Sequence, residues 1–362
     1  MKILTIANEK GGVGKTMLAT QFALYCALKF RLRVALLDLD QQANSTKFFG
    51  RSKAGFAAQA PCSAADLYQG KIDPLREVLD QPFMYVPAKC EPKDKRLEEL
   101  LENGNDYGRY AENLINAMAL LDGHFDLAII DTNPNPDIRS NSGLIVCTHL
   151  LSPIQFAQES IEGLENLFDR ISKYSEINSN LESGFLGMLP NMVESTAVQL
   201  KNGKEIIENC GHLLISVNEI KPQFFKTAEG AIQARKDALG NLMCSEAHSY
   251  AAIKRHAGFQ TANENACPIW EVPAQAAAWA ELKRAFFTIL EKMDIERPNE
   301  ATTEMNDVLI KCKRLYGASW RQIVRQFWLM DNSAILLGLT PENTNLLRQM
   351  RCYVPLSFLK EI

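Results

Sequence analysis

The sequence predicts an α/β fold: a doubly wound, mainly parallel sheet followed by a helical C-terminal extension. Three observations lead there. Short apolar runs recur along the chain, at Ile3–Ala7, Arg33–Leu39, Phe83–Val86, Phe125–Ile130, Leu150–Ile154 and Gly184–Leu189. Helical patterns separate them, which is the alternation a parallel sheet requires. Several of these runs end in a carboxylate or a proline, and ligands of open α/β sheets gather at that end of the strands.

The first strand runs into Lys10-Gly11-Gly12-Val13-Gly14-Lys15-Thr16, and an apolar run from Leu18 to Leu28 follows as a helix. Strand, glycine loop and helix together make a phosphate-binding loop. Glycines let backbone N–H groups approach phosphate oxygens, and the helix N-terminus adds partial positive charge. Lys15 supplies a full charge to the outer phosphates, and the Thr16 hydroxyl can ligate Mg²⁺. The glycine that opens an ordinary loop of this kind is Glu9 here, and an extra lysine, Lys10, follows it. Two lysines exceed what one bound nucleotide requires, so Lys10 is placed to reach the nucleotide of a facing subunit.

On these seven residues the chain resembles the deviant Walker A ATPases of the ParA/MinD group, with their KGGxGK[ST] signature, and most closely the ParA/Soj partition ATPases. The resemblance implies a P-loop ATPase that uses ATP and Mg²⁺ and forms a nucleotide-sandwich homodimer, across which Lys10 acts. It continues at the second strand, whose Asp38 and Asp40 precede Gln41-Gln42-Ala43-Asn44, where the family reads D-x-D-P-Q-x-N. Asp40 would then position the attacking water, and Asp38 would support Mg²⁺ and its waters. As a plain reading of the residues, Asp38 is also a candidate helix cap. Gln41 replaces the family's proline.

Between Leu39 and Phe125, on either side of the Phe83–Val86 strand, 51–60 reads as loop, Ser63–Tyr68 and Pro74–Asp80 as short helices, Glu91–Glu102 as a solvated helix, and Tyr110–Leu121 as a covering helix with Leu114, Ala117, Met118 and Leu121 inward. Phe125–Ile130 ends in Asp131-Thr132, the Walker B pattern, whose carboxylate holds Mg²⁺ directly or through water. The family's DTPP reads Asp131-Thr132-Asn133-Pro134 here, with Asn133 in place of a proline. Asp137 caps a helix to Val146. Leu150–Ile154 and the Glu159–Leu164 step match the family layout, and Gly184–Leu189 leads into Pro190-Asn191. The family's asparagine that reads the adenine edge falls at Asn191, where a turn-forming role fits the residue nearly as well. Leu213–Val217 is expected as the last strand, and Pro222 as the start of a base-contacting loop.

The resemblance covers residues 1–293, the ATPase domain, ending with the amphipathic helix Gln275–Met293. Residues 294–303 form a linker and 304–362 a helical extension. From Leu309 to Leu329 that extension has five basic residues and no acidic one, with aromatics between them. Such a face grips DNA or is simply solvated around a packed aromatic core.

Bulk composition narrows the classes. The chain has 362 residues, 46% of them hydrophobic and 23% charged, and a formal net charge of −4. DNA binding therefore needs a local basic face; Lys221, Lys226, Arg235, Lys236, Lys254 and Arg255 are available late in the ATPase domain. The nine cysteines occur without any C-x-x-C. That suits a reducing cytoplasm and argues against a zinc or disulfide framework. Cys147 stands alone after the Walker B strand, so the paired ligands of an iron-protein reductase are missing. No apolar run reaches membrane-span length, and the strand and loop at the start leave no room for a signal peptide.

The expected function is ATP-dependent DNA partition. An ATP-bound homodimer binds DNA without sequence preference, and a ParB-like centromere-binding or cargo adaptor protein stimulates hydrolysis and release, in a cytoplasmic, nucleoid-associated setting without stable membrane insertion. The alternative is a nucleotide-dependent positioning or regulatory ATPase acting on a protein assembly or a membrane, MinD-like or scaffold.

Overall fold

The computed structural model describes residues 1–52, 55–103, 107–217, 238–244 and 248–295. The extension expected over 304–362, Pro222, and the basic residues Lys221, Lys226, Arg235 and Lys236 lie outside the described residues.

Eight strands form one sheet in the order β3-β4-β2-β5-β1-β6-β7-β8, and every paired neighbour is parallel. The strands are β1 (Lys2–Ile6), β2 (Val34–Asp38), β3 (Ala58–Gln59), β4 (Phe83–Val86), β5 (Leu127–Asp131), β6 (His149–Ile154), β7 (Phe185–Val193) and β8 (Ile253–Lys254). The helices are α1 (Lys15–Tyr25), α2 (Asn44–Arg51), α3 (Ala64–Tyr68), α4 (Arg96–Asn103), α5 (Tyr107–Leu121), α6 (Ile138–Val146), α7 (Gln158–Ser175), α8 (Asn180–Ser183), α9 (Ala197–Cys210), α10 (Ala238–Met243), α11 (Ala257–Glu264) and α12 (Ala276–Lys292). Among the described residues no helix is long and apolar enough to cross a membrane.

The central strands read as continuous apolar runs because helices cover both faces. Every residue of β2, β4 and β5 is buried. Their side chains still alternate between two cores, as the period of two demands. Leu4, Ile6, Leu36 and Ile129 join the core under α1 and α12, whereas Ile3, Ala35, Leu37 and Ile130 join the core under α3 and α5. In α5 the inward face is Leu114, Ala117, Met118 and Leu121, as the spacing predicts.

Four expectations need correction. The stretch Leu213–Val217 is not a regular strand. Its hydrogen bonds are divided: Ile215 N–H donates to the Met188 carbonyl, and Val217 N–H to the Ser249 carbonyl. Among the described residues it pairs only through single bridges, Leu214 to Met188 of β7 and Ser216 to Tyr250 outside the sheet. Gly187 permits this close approach: with φ at +126°, an added Cβ would sit 2.7 Å from the Leu213 carbonyl oxygen. The outermost strand is β8 instead. Second, β7 continues through Pro190 and Asn191 to Val193. Third, the loop expected over 51–60 contains the short edge strand β3. Fourth, the charged helix starts only at Arg96, because Arg96 is engaged by Asp94 and Asp66, and Leu97 is buried.

Candidate nucleotide site

Topology makes the site. The strand after β1 in sequence is β2, but β5 lies between them in the sheet. In register, Asp131 sits beside Ile6 on one side and beside Asp38 on the other. The carboxylates that end β2 and β5 are therefore neighbours, one strand away from the loop that follows β1. This is the carboxyl end of the sheet at the point where the strand order reverses, where ligands of such sheets bind.

The loop itself is held from below. Gly14 takes φ +87° as the residue before α1, and a Cβ there would meet the Asn191 side-chain nitrogen at 2.3 Å. Only glycine satisfies both constraints. Asn191 is fully buried at the end of β7, and its amide donates to the Val13 carbonyl at 2.7 Å. Its Oδ1 is buried with no hydrogen-bond partner. Asn8 accepts from the Lys10 N–H at 2.7 Å and donates to the Pro153 carbonyl. Lys15 curls into this loop: its ammonium donates to the Asn8 carbonyl at 2.8 Å and to the Lys10 carbonyl at 2.9 Å. Burial lowers the Lys15 pKa to about 8, opposed by the charges of Asp131 and Asp40.

The carboxylates are buried around it. Asp38 accepts from both the N–H and the hydroxyl of Thr46 at 2.8 Å, and its other oxygen accepts from the Asp40 N–H. Thr46 lies in the first turn of α2, so Asp38 also serves that helix N-terminus, as its cap reading suggests. Burial, then the like charge of Asp131, pushes Asp38 up to about 8 despite the Thr46 bonds. Asp131 accepts from the Ser45 hydroxyl at 2.7 Å. Burial raises it to about 6, and the Ser45 hydroxyl, the Thr16 hydroxyl and Lys15 pull it back. The Thr16 hydroxyl faces this carboxylate without closing a regular hydrogen bond, and Asp131 Oδ1 is buried without a partner. Asp40 is nearly buried, and its carboxylate accepts from the Gln42 N–H.

Beside the loop lies a cavity of about 1030 Å³, lined among others by Gly11, Gly12, Gly14, Lys15, Thr16 and Asp40; the fully buried Asp38 and Asp131 are not part of that lining. A Cβ on Gly11 or Gly12 would meet nothing within 4 Å, so that face of the loop is open. The volume is what a nucleotide-sized ligand needs. The donor set suits Mg²⁺: hard oxygens from one hydroxyl and one or two carboxylates, with room for phosphate oxygens and water. The unpartnered Asp131 Oδ1 is an oxygen for which such an ion supplies the missing partner. Among the described residues no cluster of three or more His, Cys, Asp or Glu that could hold a metal ion forms.

Further contributors were not read as part of the site from the sequence. The far wall of the cavity comes from Arg255, His256, Phe259, Gln260 and Asn263 in and before α11, and from Lys47 and Arg51 in α2. Arg51 donates to the Asn263 carbonyl, and Arg255 pairs with Glu194 at 3.4 Å. Arg255, considered above as a DNA contact, thus lines the cleft. Arg139, fully buried, bonds Asp137 and Gln41. Arg170 pairs with Glu9 at 3.1 Å and bonds Ser140 and Asn141, tying the residue before Lys10 to α6. For Arg139 the Asp137 cap two residues earlier was the available signal; for the others no local motif marks them.

Comparison with known proteins bears on the family and the fold. The IncC protein of Escherichia coli is 30% identical over 201 residues, 54% of this chain and 51% of that protein. The chromosome-partitioning ATPase Soj of Treponema pallidum is 25% identical over 259 residues, 70% of this chain and 96% of that protein. The chain spans about half the length of the IncC relatives it matches. The solved structure of Cyanothece McdA in complex with ATP shares the fold, with a TM-score of 0.59 at 17% identity over 82% of this chain and 98% of that one. A family model described as an AAA domain matches residues 1–183, half of the chain. The chain belongs to that family, within the ParA/MinD group.

Proposed function

From that family membership we propose that the chain is an ATP-driven partition switch that binds DNA as a nucleotide-sandwich homodimer. The observation that carries the reading is the register of Asp131 beside both Ile6 and Asp38, which brings two buried carboxylates together at the strand ends beside the glycine loop, with the Asp131 charge acting on Lys15. The Gly11–Gly14 amides, Val13 included, and the Lys15 ammonium bind the phosphates. Lys15 exchanges its carbonyl partners for phosphate oxygens, which is a gain because those are charged acceptors. Thr16 and Asp131 would hold Mg²⁺, with Asp38 supporting them from behind as a buried neighbour of Asp131. Bound there, Mg²⁺ would neutralise charge on the transferring phosphoryl group.

Asp40 orients the attacking water from the loop after β2. Lys10 neutralises developing charge across the dimer, as an arginine finger does. Asn191 borders the base. Release from DNA follows hydrolysis stimulated by a ParB-like adaptor on the cargo. The relation to the chromosome-partitioning ATPase Soj supports the partition reading.

The test is binding to an unrelated duplex with ATP, ADP or no nucleotide, at two salt concentrations, for the natural chain and Lys10→Ala. ATP-dependent, salt-sensitive binding that Lys10→Ala loses is the expected result. Binding that ignores nucleotide, or survives Lys10→Ala, overturns the sandwich-switch reading. ATP turnover without any DNA binding moves the function to a protein-directed positioning ATPase.

A further inference from the structure

Gln41 and Asn133, the two places where the switch segments lack the family's proline, are joined to each other in the structure. Gln41 follows Asp40 in the loop after β2; Asn133 follows Thr132 in the loop after β5. Arg139, in the first turn of α6, is 2% exposed. Its guanidinium donates to Gln41 Oε1 at 2.7 Å, to Asp137 Oδ1 at 3.0 Å and, through its third nitrogen, to Asp137 Oδ2. The same Asp137 Oδ2 accepts from the Asn133 amide at 3.0 Å. Asp137 also caps α6 through the Arg139 N–H. One chain of side chains, Gln41–Arg139–Asp137–Asn133, thus spans both loops.

The chemistry of each member is required. A guanidinium has donors only, so its buried end toward the β2 loop needs an acceptor, and proline at 41 would offer no side-chain oxygen there. Proline at 133 would likewise have no amide to give Asp137. A buried charge that loses a partner is strongly unfavourable, so Arg139 keeps its position only while both loops keep theirs. Where a proline stiffens a loop covalently, these loops hold each other.

We propose that Arg139 is a positioning residue that clamps the two switch loops together, so that a displacement of either is transmitted to the other. Its consequence for turnover rests on the nucleotide-switch reading above; the clamp itself does not. Without Gln41 Oε1, the β2 loop loses its tie, Arg139 is left with an unmet buried donor, and the β5 loop loosens through Asp137. Asp40, next to Gln41, then points less constantly.

The experiment is hydrogen exchange on the full nucleotide-free chain, comparing the natural protein with Gln41→Ala and Gln41→Glu. Gln41 is only half-buried, so neither change threatens the core. Gln41→Ala is expected to speed exchange by roughly threefold or more both in 40–46 and in 132–138, the range of coupling that contacting residues show. Gln41→Glu keeps an acceptor for the guanidinium and is expected to keep 132–138 protected. Faster exchange confined to 40–46 in Gln41→Ala, or equal loosening of 132–138 by Gln41→Glu, overturns the clamp. Steady-state ATP turnover is read in parallel, with kcat falling in Gln41→Ala and KM held. A natural chain that turns over no ATP would count against the proposed function and leave the exchange result to decide the clamp.

Discussion

The two walls of the nucleotide cleft are built in different ways. The wall made by residues 8–16, 38–46 and 131–139 is dense with short-range motifs, and Lys15, Asp38, Asp40, Asp131 and Arg139 in it are buried. The opposite wall, Arg255 to Asn263 with Lys47 and Arg51, carries no motif and reaches the cavity only because distant segments dock there. Gln21 of α1 shows how: its carboxamide donates to the Cys267 carbonyl and accepts from the Ile269 N–H, 246 and 248 positions away. Below the loop, Asn191 belongs to both worlds, a β7 residue that supports the Val13 carbonyl. The difference teaches that phosphate chemistry was written locally, whereas the ligand's far surroundings were assembled by packing.

The largest effect is expected on the motif wall. Lys15→Ala removes a buried ammonium that would meet phosphate oxygens, and charge-assisted hydrogen bonds are worth about 1.5–3 kcal/mol each. ATP affinity measured by calorimetry should fall by roughly 100-fold, with the fold retained. An affinity within a few-fold of the natural chain would mean that the docked wall dominates binding.

Next is the pH dependence of the metal-free protein. The folded state holds Asp38 at about 8 and Asp131 at about 6, both above an ordinary carboxyl near 3.8. The folded state therefore binds more protons than the unfolded chain between those values, and stability falls as pH rises from about 4 to about 8. Lys15, lowered to about 8, acts in the opposite direction at higher pH, where it is the unfolded chain that holds the extra proton. Asp38→Asn removes the group that ionises last, and denaturant titrations across pH should show a shallower decline. An unchanged slope would show that the pair is not what the fold pays to keep. Mg²⁺ with nucleotide should flatten the same decline, since both favour the ionised carboxylates.

The smallest effect separates the two roles of Asn191. Asn191→Ala leaves the Val13 carbonyl without its donor and should cost about 1–2 kcal/mol in nucleotide-free unfolding. If the side chain only supports the loop, the ratio of ATP to GTP affinity stays unchanged. A collapse of that ratio would make Asn191 a reader of the base and extend the ligand-reading surface beyond the motif wall.

Periodicity and motif spacing made the central strands, α1, α5 and α6 legible, because a buried parallel strand or a one-sided helix leaves its pattern in neighbouring residues. The Asp137 cap was legible for the same reason, and the structure shows its carboxylate accepting from Arg139 N–H. Leu213–Val217 misled because a buried apolar stretch looks the same whether it pairs along its length or at single bridges.

By itself, the sequence determined the glycine loop, the carboxylates at strand ends and the alternation that yields a parallel sheet, since each depends on residues a few positions apart. Only the tertiary structure decided that β5 inserts between β1 and β2, that α11 closes the cleft, and that Arg139 bridges Gln41 to Asp137. Strand order, docking and a buried guanidinium's partners depend on contacts between residues about 100 to 250 positions apart, and no local pattern encodes those.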